Sequence, residues 1–257
     1  MNNPVFSIIT CTYNSEKFVK KNFESVKLQT FKDYEQIVID GQSKDETIKI
    51  AKLFQKDDLR IKIFFYPSKG IGDAFNKGIK HSKGKYLFFL NSDDQLYDEN
   101  VLKNISEFLT KNPQLDWIYG KIYVVEENGK RVGIFPNRKI FQTSNKYLLK
   151  FFNTIPHQAA FLKRNIFERF GCFDTRLKTN MDTELWLRIA RKTNWRFYSR
   201  IVSKYCIRKE SASSGLANKN ESLKSLEIVQ SKYLNRFEMI PAKIVNRLVT
   251  KINRTYR

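Results

Sequence analysis

Tyr86-Leu87-Phe88-Phe89-Leu90-Asn91-Ser92-Asp93-Asp94 runs five apolar residues into a polar end that carries two adjacent carboxylates. A short unbroken apolar run that stops at a polar turn has the pattern of a strand buried on both faces. The same pattern recurs upstream. Val5 to Thr10 runs into Cys11-Thr12-Tyr13-Asn14, Tyr34 to Ile39 into Asp40-Gly41-Gln42-Ser43, and Ile61 to Phe65 into the stretch from Pro67 to Asp73. Helices are expected between them: over 16–28, where Phe18, Val19, Phe23 and Val26 have helical spacing, and near 46–56 and 71–81. Strands alternating with helices predict an α/β fold, a mostly parallel sheet covered on both faces. Ligands of such sheets sit beyond the carboxyl ends of the strands. Four consecutive strand ends here offer Tyr, Asp, Lys and paired Asp.

Downstream the pattern is more mixed. Trp117 to Gly120 and Ile122 to Val125 read as strands, with a turn at Glu127-Asn128-Gly129-Lys130 and a return over Val132 to Phe135. Gln158 to Leu162 is a further short strand. Asp182 to Arg191 reads as a helix with Leu185, Trp186 and Ile189 inward. Residues 195–207 are strand-like, 209–215 are a polar loop, and 219–257 are helical and basic.

The chain has 257 residues, enough for one large domain or a domain with an extension, and its 41% apolar content is too high for disorder. Cys11, Cys172 and Cys206 are odd in number and far apart, which points to reduced thiols in a cytosol rather than a disulfide scaffold. With only His81 and His157 to join them, no zinc pattern forms. No apolar run approaches the ~20 residues of a membrane span, and the start has no basic stretch of a secretory signal. A formal charge of +21 calls for an anionic partner: nucleic acid, anionic lipid or a phosphorylated ligand, against the plain alternative of a Lys-rich surface.

Asp93 and Asp94 repel each other unless a cation lies between them and a ligand. Mg²⁺ or Mn²⁺ takes hard oxygen ligands, commonly one or two carboxylates plus substrate phosphates. The competing reading is an N-cap for a helix over 99–111. Position at a strand end of this sheet favours the metal.

Ser7-Ile8-Ile9-Thr10-Cys11-Thr12-Tyr13-Asn14, Ile39-Asp40-Gly41-Gln42-Ser43-Lys44-Asp45-Glu46-Thr47, the stretch from Lys69 to Gly78, Phe89-Leu90-Asn91-Ser92-Asp93-Asp94, His157-Gln158 and Asp182-Thr183-Glu184-Leu185-Trp186-Leu187-Arg188 occur in that order. Together they resemble the family 2 glycosyltransferases of GT-A fold, over about residues 4–215. The resemblance implies a GT-A domain over 1–215, with a nucleotide-sugar half over 1–115 and an acceptor half over 116–215. Residues 216–257 would be a basic helical extension. It implies inverting transfer from a nucleotide diphosphate sugar, UDP-linked, to a glycan or lipid-linked acceptor. The setting would be cell-surface polysaccharide synthesis of bacterial type.

By that resemblance Thr10, Tyr13, Asn14 and Asp40 would meet the nucleotide, with Tyr13 on the base and Asp40 on base or ribose. A core Tyr and a turn Asp are the bland alternatives. Many relatives carry a second acid where Gly41 stands. Lys69 would meet phosphate or be a surface Lys. Asp73 and Asn76, one helical turn apart, would face the sugar donor, or Asn76 would hold a loop. Asp93 and Asp94 match the acidic metal motif, with Asn91 at its first position, and Mn²⁺ or Mg²⁺ would offset charge on the leaving diphosphate. Asp182 matches the catalytic base, although a plain N-cap would look the same; Glu184 is the fallback. Met181 stands where many relatives have Glu. Arg208 takes the place of a His that relatives carry near the diphosphate, in a loop expected to be mobile, or is an exposed basic residue. His157, Glu184 and Trp186 would line the acceptor side.

Residues 241–257 hold five basic residues and no acid. Lys243, Arg247, Lys251 and Arg254 share one helical face; Ile244, Val245, Leu248, Val249 and Ile252 cover another. That pattern suits an anionic membrane surface, so the protein is expected in the cytoplasm, peripheral on the inner membrane face. A helix docked on its own domain is the alternative. A sugar nucleotidyltransferase would want a Gly-rich loop after the first strand, and Cys11-Thr12-Tyr13-Asn14 has no Gly. A nucleic-acid binder would show a recognised motif, and none is present; no nucleic-acid partner is expected.

Overall fold

The first four apolar runs become strands: β1 (Phe6–Thr12), β2 (Tyr34–Asp40), β3 (Ile61–Phe65) and β4 (Tyr86–Phe89). In this computed structural model, which describes residues 3–151, 155–208 and 216–252, they alternate with α1 (Val19–Lys27), α2 (Thr47–Asp57) and α3 (Ile71–His81). β5 (Gln95–Leu96), α4 (Val101–Lys111), β6 (Trp117–Glu126), β7 (Arg131–Phe135), β8 (Ala160–Lys163), α5 (Asn165–Phe170), α6 (Met181–Ile189) and β9 (Trp195–Ile207) follow, then α7 (Leu216–Ser231) and α8 (Arg236–Ile252).

One sheet joins them in the order β3-β2-β1-β4-β8-β6-β9-β5, with β7 paired to β6. β1 pairs in parallel with β2 and β4, and β2 with β3. The second half departs from the expected parallel pattern. β8 runs antiparallel to both β4 and β6, and β5 and β7 are antiparallel to their partners, while β6 and β9 are parallel. The short turn between β6 and β7 allows only an antiparallel return, since a parallel one needs a crossover of a dozen residues or more.

Side chains alternate across the sheet as a period of two requires. Ile9, Ile37, Phe89, Trp117 and Leu162 enter one apolar layer; Ile8, Phe88, Ile118 and Phe161 enter the other. Trp117 stacks between Trp186 and Trp195, with centroids 5.2 and 4.7 Å away. β6 is continuous where two strands were expected. Gly120 within it lets β9 approach closely: a Cβ there would lie 2.5 Å from Val202 Cγ2. The basic C-terminal region forms two helices, α7 and α8. Val229 of α7 joins the layer that holds Trp117, so this segment docks on the sheet domain.

Candidate active site

The turn after β4 is held from beneath. Asn22 lies on the apolar face of α1, fully buried, and its amide donates to the carbonyl oxygens of Asn91 and Asp94 at 2.8 and 2.9 Å. Gln36 on β2 donates in turn to Asn22 Oδ1 at 3.0 Å. The backbone N–H of Asp94 closes the turn on the Asn91 carbonyl. Neither Asn22 nor Gln36 was expected from the sequence. The available signal was a polar residue among the apolar positions of α1, between Val19 and Phe23.

The two carboxylates of the turn part company. Asp94 is fully buried; Oδ1 accepts the Cys206 N–H of β9 at 3.2 Å, and Oδ2 is buried with no partner. Burial, with the Asp93 charge beside it, pushes the Asp94 carboxyl well above the usual carboxylate range. Asp93 pairs with Arg208, Nε to Oδ2, at 2.6 Å. The Arg208 guanidinium also lies 5.2 Å from the Phe18 ring centre. α4 begins at Val101 with Asn100 at its cap position, so neither Asp serves as the cap considered from the sequence. The buried Asn91 Oδ1 also has no partner. An ion-paired carboxylate beside two orphaned acceptor oxygens is a donor set that a divalent cation would satisfy. Among the described residues no group of three or more His, Cys, Asp or Glu is set to hold a metal. A single carboxylate completed by substrate phosphates is therefore the arrangement that fits.

At the first two strand ends, exposure separates the expected contacts. Tyr13 is 56% exposed. Gly41 lets its ring lie where it does, for a Cβ at 41 would stand 3.0 Å from Tyr13 Cδ2. Asn14 adopts a left-handed backbone, φ 47°, and its Oδ1 accepts the Lys44 N–H at 2.9 Å, tying the two ends together. Asp40 is 1% exposed and accepts from Thr12 Oγ1, Ser43 Oγ and the Ser43 N–H at 2.7, 2.7 and 2.8 Å. Its carboxylate braces the turn, Oδ2 taking both hydroxyls and Oδ1 a single N–H. Thr10 lies further inside. β1 continues two residues past it, and its buried hydroxyl accepts from Gln36 at 3.0 Å. Lys69 is exposed. Asp73 is half-buried in the first turn of α3, whereas Asn76 is spent on the loop ahead of α6. Its amide donates to the Phe173 carbonyl and accepts the Phe173 N–H, at 2.9 and 3.0 Å.

Asp182 enters from the second half. Asn180, left-handed at φ 58°, turns the chain into α6 and places Asp182 in its first turn, with 19% of its side chain exposed. Asp182 Oδ1 accepts the Thr183 N–H at 2.8 Å, and Oδ2 lies 3.3 Å from His157 Nδ1. The other ring nitrogen of His157 lies 3.3 Å from the Asn91 amide. The turn after β4 and the start of α6 thus meet across one imidazole. Two expected acceptor contacts are absent from this meeting point. Trp186 is 2% exposed, donates to the Ile155 carbonyl and belongs to the core. Glu184 is buried, bound by Arg188 at 2.8 Å and by the Tyr233 hydroxyl of α7. Burial and that carboxylate push the Tyr233 hydroxyl well up from its usual range.

Residues 7–171 match the family described as Glycosyl transferase family 2. The chain is a family 2 glycosyltransferase. This places it apart from the nucleotidyltransferase and nucleic-acid readings weighed above. Asp182 lies beyond the matched residues. A PGL/p-HBAD biosynthesis glycosyltransferase of Mycobacterium bovis is 30% identical over 186 residues, 72% of this glycosyltransferase and 69% of the relative. An uncharacterized glycosyltransferase of Methanocaldococcus jannaschii is 29% identical over 80% of this chain and 72% of its own. Among solved structures, S. aureus TarS 1–349 in complex with UDP-GlcNAc superposes with TM-score 0.70 at 20% identity, over 93% of this chain and 70% of that one. The mannosyltransferase PcManGT of Pyrobaculum calidifontis, in complex with GDP-Man and Mn²⁺, superposes with TM-score 0.72 at 14% identity, over 95% and 70%. The glycosyltransferase therefore has the GT-A fold.

Proposed function

We propose that this glycosyltransferase moves a sugar, with inversion and with the help of a divalent cation, from a nucleotide diphosphate donor to a hydroxyl of a glycan or lipid-linked acceptor. UDP is the nucleotide of choice and cell-surface polysaccharide synthesis the setting. The observation that carries this reading is the junction of the 91–94 turn with Asp182 across His157. One side of that junction suits a diphosphate and its cation, and the other suits an acceptor hydroxyl. The donor complexes of TarS and PcManGT, the latter with Mn²⁺, support it.

The exposed Tyr13 ring offers a stacking face for the base. Asp93 would hold Mn²⁺ or Mg²⁺ together with the donor's phosphates, and the ion would supply Lewis-acid stabilisation of the leaving diphosphate. Arg208 now neutralises Asp93; its guanidinium can turn to phosphate, which it binds bidentately. Lys69, exposed before α3, adds a second positive charge. Asp182 takes the proton of the acceptor hydroxyl as its oxygen attacks the anomeric carbon opposite the diphosphate. The test is a thermal screen of UDP-, GDP- and dTDP-sugars with Mn²⁺. One nucleotide class should raise the melting temperature and then release its nucleoside diphosphate on turnover. No stabilisation by any nucleotide sugar would overturn the proposal.

The C-terminal helix extends this reading to a membrane surface. α8 docks through Glu238, which pairs with Lys150, through buried Ala242, and through Asn246, which donates to Gln230 at 2.8 Å. These positions are four residues apart and share one face of the helix. Phe237, Ile240 and Ile244 point outward, 82, 61 and 55% exposed. An amphipathic helix normally buries its apolar side, so this one keeps that side for a further surface. Lys243 is exposed beside it. Of the expected basic and apolar faces, the side chains of Arg247, Leu248, Val249, Lys251 and Ile252, and all of Arg254, lie outside the described residues. So does the loop over 209–215 that follows Arg208. The formal charge of +21 supports an anionic lipid surface as the partner, where each basic residue contributes ~1 kcal/mol. Among the described residues no helix is long and apolar enough to cross a membrane. Changing Phe237, Ile240 and Ile244 together to Ser should abolish co-sedimentation with phosphatidylglycerol vesicles and leave the melting temperature in place. Unchanged sedimentation would overturn the membrane assignment.

A further inference from the structure

We propose that His157 is a positioning residue that holds the Asp182 carboxylate and ties it to the turn that receives the diphosphate. The inference rests on the reading of Asp182 as the base. It begins with strand register. β8 pairs antiparallel with β4 through Tyr86 opposite Lys163, Leu87 opposite Leu162 and Phe88 opposite Phe161. Carried past the end of β4, that register brings the 3₁₀ turn His157–Ala159 opposite Asn91. The Phe75 ring meets the imidazole edge-on, centroids 5.6 Å apart at 66°, and fixes its plane.

The bonding sense follows from chemistry. A carboxylate can only accept, so the nitrogen facing Asp182 Oδ2, Nδ1 at 3.3 Å, carries the proton. Nε2 is then bare and accepts from the Asn91 amide, whose Nδ2 is 3.3 Å away. One neutral tautomer satisfies both contacts, and the chain runs Asn91 N–H to His157, His157 N–H to Asp182. With the Thr183 N–H on Oδ1, the carboxylate has one donor on each oxygen. Its rotation is fixed, and each oxygen keeps a lone pair for an incoming hydroxyl proton. Asn91 is in the turn that carries Asp93. A diphosphate and cation settling there are therefore read by Asp182 through a single ring. His157 itself touches no reacting atom.

The experiment measures release of nucleoside diphosphate, with water as acceptor, from whichever nucleotide sugar stabilises the protein most in the thermal screen. His157→Asn can place an amide N–H where Nδ1 stands, and His157→Gln where Nε2 stands. His157→Ala should lower kcat, up to about 100-fold for an ~1 Å misplacement of the base, with KM for the nucleotide sugar and the melting temperature little changed. His157→Asn should recover much of that loss, and His157→Gln should not. In an Asp182→Asn background, His157→Ala should add no further loss, because the two act as one unit. Unchanged kcat in His157→Ala, equal loss in Asn and Gln, or a rise in KM alone would overturn the inference. If His157→Ala does not fold, the Asn and Gln pair decides. The reading beneath fails separately, if Asp182→Asn itself keeps turnover.

Discussion

Asp182→Asn is expected to bind the nucleotide sugar as tightly as the parent protein and to lose about 10²- to 10⁴-fold in kcat, the usual contribution of a general base. Asn preserves shape and can still accept the Thr183 N–H, but it cannot take a proton. The lost interaction belongs to the transition state, so kcat should fall and KM should not follow it. Glu184→Gln makes the natural control. Glu184 is locked by Arg188 and Tyr233, and loosening a buried pair of this kind costs about 3–5 kcal/mol. That variant should melt earlier and turn over normally per folded molecule. Steady-state kinetics and a thermal melt on both variants decide the matter. A slow Glu184→Gln beside an active Asp182→Asn would exchange their roles.

Asp93→Asn is expected to abolish the Mn²⁺-dependent part of nucleotide-sugar binding, whereas Asp94→Asn should leave most of it. The two positions differ in access. Asp93 meets a guanidinium that can leave; Asp94 is sealed against Cys206 and its burial favours the neutral acid. Asp94→Asn keeps the shape of a side chain sealed inside the protein and leaves the Asp93 carboxylate in place. A ligand at 100 times its Kd adds about 2.7 kcal/mol to stability, and each kcal/mol moves Tm by about 2–4 °C in a chain of this size. The melting shift given by nucleotide sugar with Mn²⁺ should therefore be several degrees, and should vanish in Asp93→Asn and with EDTA. An undiminished shift in Asp93→Asn would refute the assignment of the cation to that side chain.

The first four strands were legible because each is an apolar run short enough to be read alone. Their carboxyl ends carry Tyr13 and Asp93, and Asp182 meets the last of these ends through His157 and Asn91. Other residues of the same motifs are engaged by partners within the protein. Thr10 is one pleat too early, and Gln36 of the next strand claims its hydroxyl. Asp40 looks free in a turn but collects three donors. Trp186 reads as an aromatic beside a base and proves to stack on Trp117, a residue 69 positions away. Helical spacing proposed two faces in the C-terminal segment, of which only Lys243, Ile244 and Val245 have described side chains. It could not say which face docks, because Lys150 and Gln230 settle that.

The loop that carries Asp182 is anchored from the C-terminal segment. Asn180 donates to the Ser222 carbonyl at 2.8 Å, Ser225 donates to the Thr179 carbonyl at 3.0 Å, and Lys232 reaches Asp174 at 3.3 Å. All three anchors lie in or just after α7, well past the residues that define the family. The C-terminal helices are therefore no detachable handle. A chimera that borrows the sheet domain from one relative and the tail from another would break these fastenings and let the base drift, even with every motif intact.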